Sequence, residues 1–288
     1  MSRYLGLDIG GTKLSLSLGD KSGHILREER IPTPSPKEAM LWIQKKVVSW
    51  QPESLVSMGV LCPGPFEWEK GSFGNPPNLP GWESFSLYEE LRGLFDFPIH
   101  LASDAIGGAL AQWNYSPLKE PLVYLTLSTG LGVGVIANGQ PLMGRGVPEA
   151  GHIVIEKDGP LCACGQRGCF EAYCGGLATQ NRLLHSQGIS GWIREVRAGN
   201  PIARKEWDEW ILRLAQGVGA LIMAYAPGRC VLGTLAQHAG DVLMHPLKER
   251  LPHFCWPSLA KDCNLLINPL GDRVAPLGAL AIASRPLP

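Results

Sequence analysis

The chain has 288 residues, 26 basic and 26 acidic side chains, and so no formal net charge. Lys and Arg are scattered, with no run longer than two. This argues against a generic nucleic-acid or acidic-membrane surface, which selects a basic patch. The length suffices for one large or two medium domains, each with its own hydrophobic core. No stretch approaches the ~20 apolar residues that span a bilayer. The start runs from Met1-Ser2-Arg3 straight into Tyr4-Leu5-Gly6-Leu7-Asp8 with no leader-like apolar region. The eight Cys are therefore expected to be reduced thiols of a soluble, cytoplasmic protein.

Tyr4 to Ile9 is a short apolar run closed by Gly10-Gly11, and Leu14 to Leu18 alternates Leu with Ser. A turn over Asp20-Lys21-Ser22-Gly23 leads to a third run from His24 to Ile31. Strand, Gly turn, strand, Gly turn, strand predicts an antiparallel meander. After Pro32, Pro34 and Pro36 the pattern predicts a helix from Lys37 to Trp50, with Ala39, Ile43, Val47 and Trp50 on one face. Buried strands follow at Leu55 to Leu61 and Pro98 to Ala102, then at Val123 to Leu127 and Gly132 to Ala137. Asn200-Pro201 is an N-terminal cap for a long helix. Its stripe of Trp207, Trp210, Ile211, Leu214, Val218, Leu221, Ile222 and Tyr225 predicts core packing. Cys230 to Leu232 is a short strand and Leu277 to Ser284 a closing helix, and no internal repeat is visible by eye.

Chemistry concentrates in four places. Asp8-Ile9-Gly10-Gly11-Thr12-Lys13 puts a carboxylate at a strand end and two glycines in the turn after it. Such a turn lets backbone N–H groups approach an anion, with a hydroxyl and a cation beside them, although hairpins also use Gly-Gly with no ligand. Ser128-Thr129-Gly130-Leu131-Gly132 again follows a buried strand. Two Gly-rich turns at strand ends suggest phosphates gripped from both sides of a cleft. Between them, Ser103-Asp104 opens a small-residue helix and by itself reads as an N-cap. The densest signal is Glu149-Ala150-Gly151-His152 with Cys162-Ala163-Cys164-Gly165-Gln166-Arg167-Gly168-Cys169-Phe170-Glu171. Three thiols and one imidazole, His152, Cys162, Cys164 and Cys169, complete a tetrahedral zinc set with no open position, which points to a structural ion.

With Pro63-Gly64-Pro65 and Asn78-Leu79-Pro80-Gly81-Trp82, these motifs make the chain resemble the ROK family of sugar kinases and sugar-responsive repressors over nearly its whole length. The resemblance implies an α/β, two-domain actin/hexokinase-like ATPase fold (ribonuclease H-like) with a structural zinc site. It places residues 1–104, closed by a C-terminal helix over 272–288, in one domain and 105–271, with the zinc segment, in the other. Asp104 is implied as the general base toward a sugar hydroxyl. Glu149 and Glu171 would accept hydrogen bonds from ring hydroxyls, and His152 would bind zinc through one nitrogen and sugar through the other. Gly64, Asn78 and Ser103 would line the sugar, with Trp82 as a hydrophobic anchor for its loop. Asp8, Gly10, Gly11, Thr12, Lys13, Thr129 and Gly130 would surround the phosphates of ATP with Mg²⁺, and Gly233 would lie on the adenosine side.

Three positions depart from the family pattern. Ser103 stands where Asn is usual, Ile106 where a polar residue is common, and Gly233-Thr234-Leu235 where a Gly triplet is usual. The last leaves polyphosphate as an alternative donor. The expected function is ATP-dependent phosphorylation of a hexose, with glucose favoured, in glycolytic carbohydrate metabolism. Alternatives are a sugar-binding regulator or pseudokinase, and a kinase for N-acetylglucosamine, N-acetylmannosamine or fructose. Repressors of the family carry an N-terminal helix-turn-helix, for which a phosphate loop beginning at Asp8 leaves no room, so no nucleic-acid partner is expected. A homodimer is compatible with the family habit.

Overall fold

The computed structural model describes residues 2–144, 146–183 and 188–285. The chain divides into two units, residues 1–118 with 145–147 and 272–288, and residues 119–144 with 148–271.

In the first unit the expected meander forms, as β1 (Arg3–Ile9), β2 (Lys13–Gly19) and β3 (Ile25–Pro32). The helix α1 (Pro36–Trp50) follows, buries Ala39, Ile43, Val47 and Trp50, and is opened by a Ser35/Glu38 capping box. Strand β4 (Leu55–Cys62) leads to a small ribbon of β5 (Phe66–Glu67) and β6 (Ser72–Phe73), then to α2 (Leu87–Leu94), β7 (Ile99–Ser103) and α3 (Asp104–Asn114). The five-stranded sheet has the order β3-β2-β1-β4-β7. The pairs β1/β4 and β4/β7 are parallel, whereas β1/β2 and β2/β3 are antiparallel.

The Leu/Ser alternation of β2 does not mark a wet face, because Ser15 and Ser17 are as buried as the leucines. The C-terminal helix α10 (Val274–Ser284) covers that side, and it is apolar all round, as a fully buried helix must be. Small residues let it sit close. A Cβ on Gly278 would lie 2.6 Å from the Gly107 carbonyl oxygen of α3, and one on Gly59 of β4 would lie 2.1 Å from the Ala279 oxygen. Ser57 Oγ donates to the Ala283 carbonyl at 2.7 Å and pins the end of α10 to β4. Because α3 packs on α10, it belongs to the first unit, and the division falls after Leu118 where it was expected after Asp104.

The second unit contains β8 (Leu122–Leu127), β9 (Leu131–Ala137) and β10 (Gln140–Pro141). After the Cys-rich segment come α4 (Phe170–Cys174), α5 (Gly176–Arg182), α6 (Gly188–Ala198) and α7 (Pro201–Tyr225). The unit is completed by β11 (Arg229–Leu232), α8 (Leu235–Arg250), α9 (Pro257–Asp262) and β12 (Asn264–Ile267). Asn200 caps α7, its side-chain oxygen accepting the Ile202 and Ala203 N–H groups at 2.9 and 3.3 Å. The apolar stripe is buried from Trp207 to Ile222, while Tyr225, in the last turn, is only partly covered. Each large side chain so buried is worth about 1.5–3 kcal/mol. The sheet order is β10-β9-β8-β11-β12, with β9 antiparallel to both neighbours and β8, β11 and β12 parallel. This repeats the first sheet strand for strand, a duplication that no sequence repeat announces. No described helix is long and apolar enough to cross a membrane.

The α10 contact is testable. Gly278→Ala forces backbone apart at Gly107, and overpacking of this kind costs about 1–3 kcal/mol. The urea midpoint should fall with the slope unchanged.

Candidate active site and metal centre

Parallel register brings the first unit's chemistry to one edge of its sheet. Asp8 pairs with Leu61 across β1/β4, and Cys62 with Ser103 across β4/β7, so three strands end side by side. The carboxyl ends of parallel strands are where open α/β sheets bind ligands. Burial first, and then the Asp104 charge, push the Asp8 carboxyl up to about 7, with Lys13 acting against both. The Cys62 thiol is likewise raised, by burial first and then by Asp8 and Asp104. The two acids therefore share one electrostatic neighbourhood, a hard-oxygen pair that fits Mg²⁺.

The N-cap of α3 is Ser103, whose Oγ accepts the Ile106 N–H at 3.2 Å. Asp104 is the first helical residue, with Oδ1 2.7 Å from the Ala105 nitrogen, where the helix dipole favours negative charge. In the turn after β1, Gly10 N–H donates to the Lys13 carbonyl at 3.0 Å, and Thr33 N–H to that of Thr12 at 3.3 Å. Gly11, Thr12 and Lys13 are exposed at its tip. The Asn78 backbone lies directly against Gly11, and Gly64 is exposed in the turn that follows β4. Trp82 is buried edge-on to Phe73 and Phe85, with Nε1 donating to the Pro34 carbonyl at 3.1 Å. It anchors the Asn78–Trp82 turn, as expected.

In the second unit the Cys₃His residues converge. One ligand atom from each of His152, Cys162, Cys164 and Cys169 lies within 4.8 Å of all the others. Cys164 and Cys169 sulfurs are 3.6 Å apart, and Cys162 Sγ is 3.4 Å from His152 Nδ1. A tetrahedron with Zn–S ≈ 2.3 Å has edges of about 3.8 Å, so the donor set fits such an ion. Burial, then the Cys164 sulfur, pushes the Cys169 thiol to about 12, and a cation would let the cluster release its protons. His152 Nε2 points the other way, 4.0 Å from Glu171 Oε1. Glu149 is exposed, and its carbonyl accepts the His152 N–H at 2.9 Å.

The Ser128–Leu131 loop is seated on this same segment. Leu131 N–H donates to Glu171 Oε2 at 2.8 Å. Gly176 and Leu177 N–H donate to the Ser128 and Thr129 carbonyls, each at 2.8 Å. A Cβ on Gly151 would sit 2.1 Å from the Leu131 oxygen, so only glycine fits there. Leu131, Gly151 and Gly176 were not foreseen as site residues, although the glycines beside His152 and Cys174 were a signal. Thr129 is exposed and Gly130 half-covered. Gly233, at the end of β11, is buried under Tyr124, and the exposed residue of that turn is Thr234.

Two measurements follow. With an ordinary value of 3.8 and a folded value of about 7, Asp8 holds its proton more tightly in the folded protein. Its contribution is complete below about pH 4 and is lost as pH rises through 7. Asp8→Asn should therefore gain stability relative to the parent across that window without Mg²⁺, by at most about 4 kcal/mol at 1.36 kcal/mol per pKa unit. Urea titrations at both ends of the window check it. Thr234 is a β-branched residue at φ 47, ψ −97, a conformation costing about 1–3 kcal/mol. Thr234→Gly should raise the urea midpoint accordingly.

The ROK family model matches residues 4–285. The chain is 31% identical over 292 residues to the glucokinase of Pyrobaculum calidifontis, covering 98% of this chain and 95% of that one. It is 34% identical over 186 residues to the N-acetylmannosamine kinase of Vibrio cholerae, 62% of this chain and 63% of that one. The crystal structure of the ROK hexokinase of Thermus thermophilus superposes with a TM-score of 0.87 at 28% identity, over 98% of both chains. The chain belongs to the ROK family.

Proposed function

We propose that this protein is an ATP-dependent hexose kinase with glucose as the favoured acceptor and glucose 6-phosphate as the product. The observation that carries this is the placement of Asp104 beside Asp8 at the carboxyl edge of β1, β4 and β7. Similarity to a glucokinase along nearly the full length supports it. We take the duplicated sheet order as an actin/hexokinase-like ATPase fold.

In this reading Asp104 accepts the proton of the sugar's primary hydroxyl. The oxygen forms a bond to the terminal phosphorus of ATP as the bond to ADP breaks, and the proton leaves later to solvent. A positioned base of this kind contributes about 10²–10⁴ in rate. Gly10, Gly11, Thr12 and Lys13 supply N–H groups, a hydroxyl and a cation to the phosphates, as do Thr129 and Gly130 from their loop. Asp8 would hold Mg²⁺, which supplies neutralising charge to the transferring group. Glu149, His152 Nε2 and Glu171 hold ring hydroxyls, with Gly64, Asn78 and Ser103. His152, Cys162, Cys164 and Cys169 would hold zinc, whose role in a closed set is to fix His152 and its loop. The adenosine side falls to the Gly233-Thr234 turn.

A second reading, N-acetylmannosamine as acceptor, is favoured by the 34% identity over 186 residues. The test is sugar-dependent ADP release with Mg-ATP across glucose, N-acetylmannosamine, N-acetylglucosamine and fructose, with polyphosphate as a second donor. Glucose should turn over fastest, and Asp104→Asn should lower kcat by about 10²–10⁴ while the fold survives. Faster turnover of N-acetylmannosamine would favour the second reading. Sugar binding without turnover on either donor would instead indicate a regulator.

A further inference from the structure

We infer that Glu171 is a positioning residue that ties the Cys₃His centre to the Leu131 peptide, so that filling the centre orders the Ser128–Leu131 loop. The consequence for donor binding rests on the kinase reading above; the structural coupling does not.

Leu131 is contacted at both of its backbone polar atoms, which belong to two successive peptide units. Its N–H donates to Glu171 Oε2 at 2.8 Å, and its carbonyl oxygen faces Gly151 at a distance no side chain would allow. Gly151 immediately precedes His152, and Glu171 lies two residues after Cys169. The two jaws are carried by segments that meet at the metal-ligating side chains and at a short backbone ladder, in which Phe170 N–H donates to the Ile153 carbonyl and Ile155 N–H to the Gly168 carbonyl, each at 2.9 Å. The other carboxylate oxygen, Oε1, is 4.0 Å from both His152 Nε2 and Cys162 Sγ. The jaw that carries Glu171 is α4, a helix of only five residues. A helix this short has little stability of its own and depends on what clamps its ends. An ion bound by Cys169 at its N-cap and by His152 beside Gly151 would hold the jaws at fixed separation. Without it, that backbone ladder is left to hold the two jaws together. A bound ion shifts an equilibrium only by its differential affinity for the two states, and here the ordered state is the one with all four donors converged.

Hydrogen exchange at the Leu131 amide tests this, with the Val231 amide in β11 as a core reference. In zinc-loaded protein Leu131 should exchange slowly. Removing zinc with a chelator should speed it at least about tenfold, the scale of one lost charge-assisted hydrogen bond, with Val231 unchanged. Glu171→Ala, still carrying zinc, should do the same. Glu171→Gln keeps a carbonyl acceptor and should retain most of the protection. In steady-state assays the KM for ATP should rise in the Ala variant and be largely rescued in the Gln variant, whereas the KM for sugar should rise in both. Leu131 protection indifferent to zinc would overturn the coupling. Should chelation also expose Val231, the zinc-loaded variants decide alone, and equal protection in Ala and Gln overturns it. A protein that phosphorylates no sugar defeats the kinase reading and leaves the exchange result to be read as stated.

Discussion

Leu131 is held at its backbone nitrogen by Glu171 while its carbonyl oxygen packs directly on Gly151, and the seating of the Ser128–Leu131 loop follows from these two contacts. A Gly-rich loop has few side chains with which to bury itself, so its backbone polar groups must find partners elsewhere. Here they are supplied by the Cys-rich segment and the start of α5. The spacing that puts Glu171 two residues after Cys169 and Gly151 one residue before His152 thus serves two ends. It completes a tetrahedral donor set, and it builds a seat for the loop. The Cys₃His donor set and the Gly-rich loop are adjoining parts of one assembly, the kind of neighbour that commonly orients ligands around an ion.

The first unit solves a different problem, that of holding two acids close together. Asp8 and Asp104 are far apart in sequence and meet because β1, β4 and β7 run parallel and end in register. Repulsion between them and loss of water both raise the Asp8 carboxyl, a cost that a bound divalent cation would remove. The rigidity that sustains this arrangement comes from α10, pressed against α3 and the sheet through Gly278 and Gly59. The last helix of the chain therefore supports the helix that begins with Asp104.

Much of this was legible in the sequence where the signal is local. The meander, α1, the cap and stripe of α7 and the Cys₃His set all rest on spacings of a few residues. Tyr225 was misplaced because a periodic stripe does not say where the neighbouring layer stops. The Glu171–Leu131 bond was not legible, since it joins residues 40 apart. The duplicated sheet was not either, because strand order is a property of pairing and leaves no mark in residue identity. Helices α2 and α8 were missed among proline- and glycine-punctuated stretches whose burial is set by the sheets they cover. Ser103 and Asp104 show the limit of reading a cap from sequence. The pair offered two candidates, and only the backbone distinguishes the capping hydroxyl from the first helical carboxylate.

The duplication also explains why Gly-rich turns appear at two places in the chain. The turn from β1 to β2 and the turn from β8 to β9 are the same hairpin in the same sheet order, so each delivers backbone N–H groups at a strand end. The equivalence stops at chemistry. Where β7 leads to Asp104, the corresponding strand β12 leads to Asn268, which is buried and spends its side chain on the Leu270 N–H at 2.9 Å and the Gly271 carbonyl at 3.1 Å. Where β4 leads to the exposed Gly64, β11 leads to a buried glycine and a strained threonine. A single topology has thus been divided between two tasks. One copy keeps acids at its strand ends, and the other uses its strand ends for backbone and anchors them with the Cys-rich segment inserted after β10.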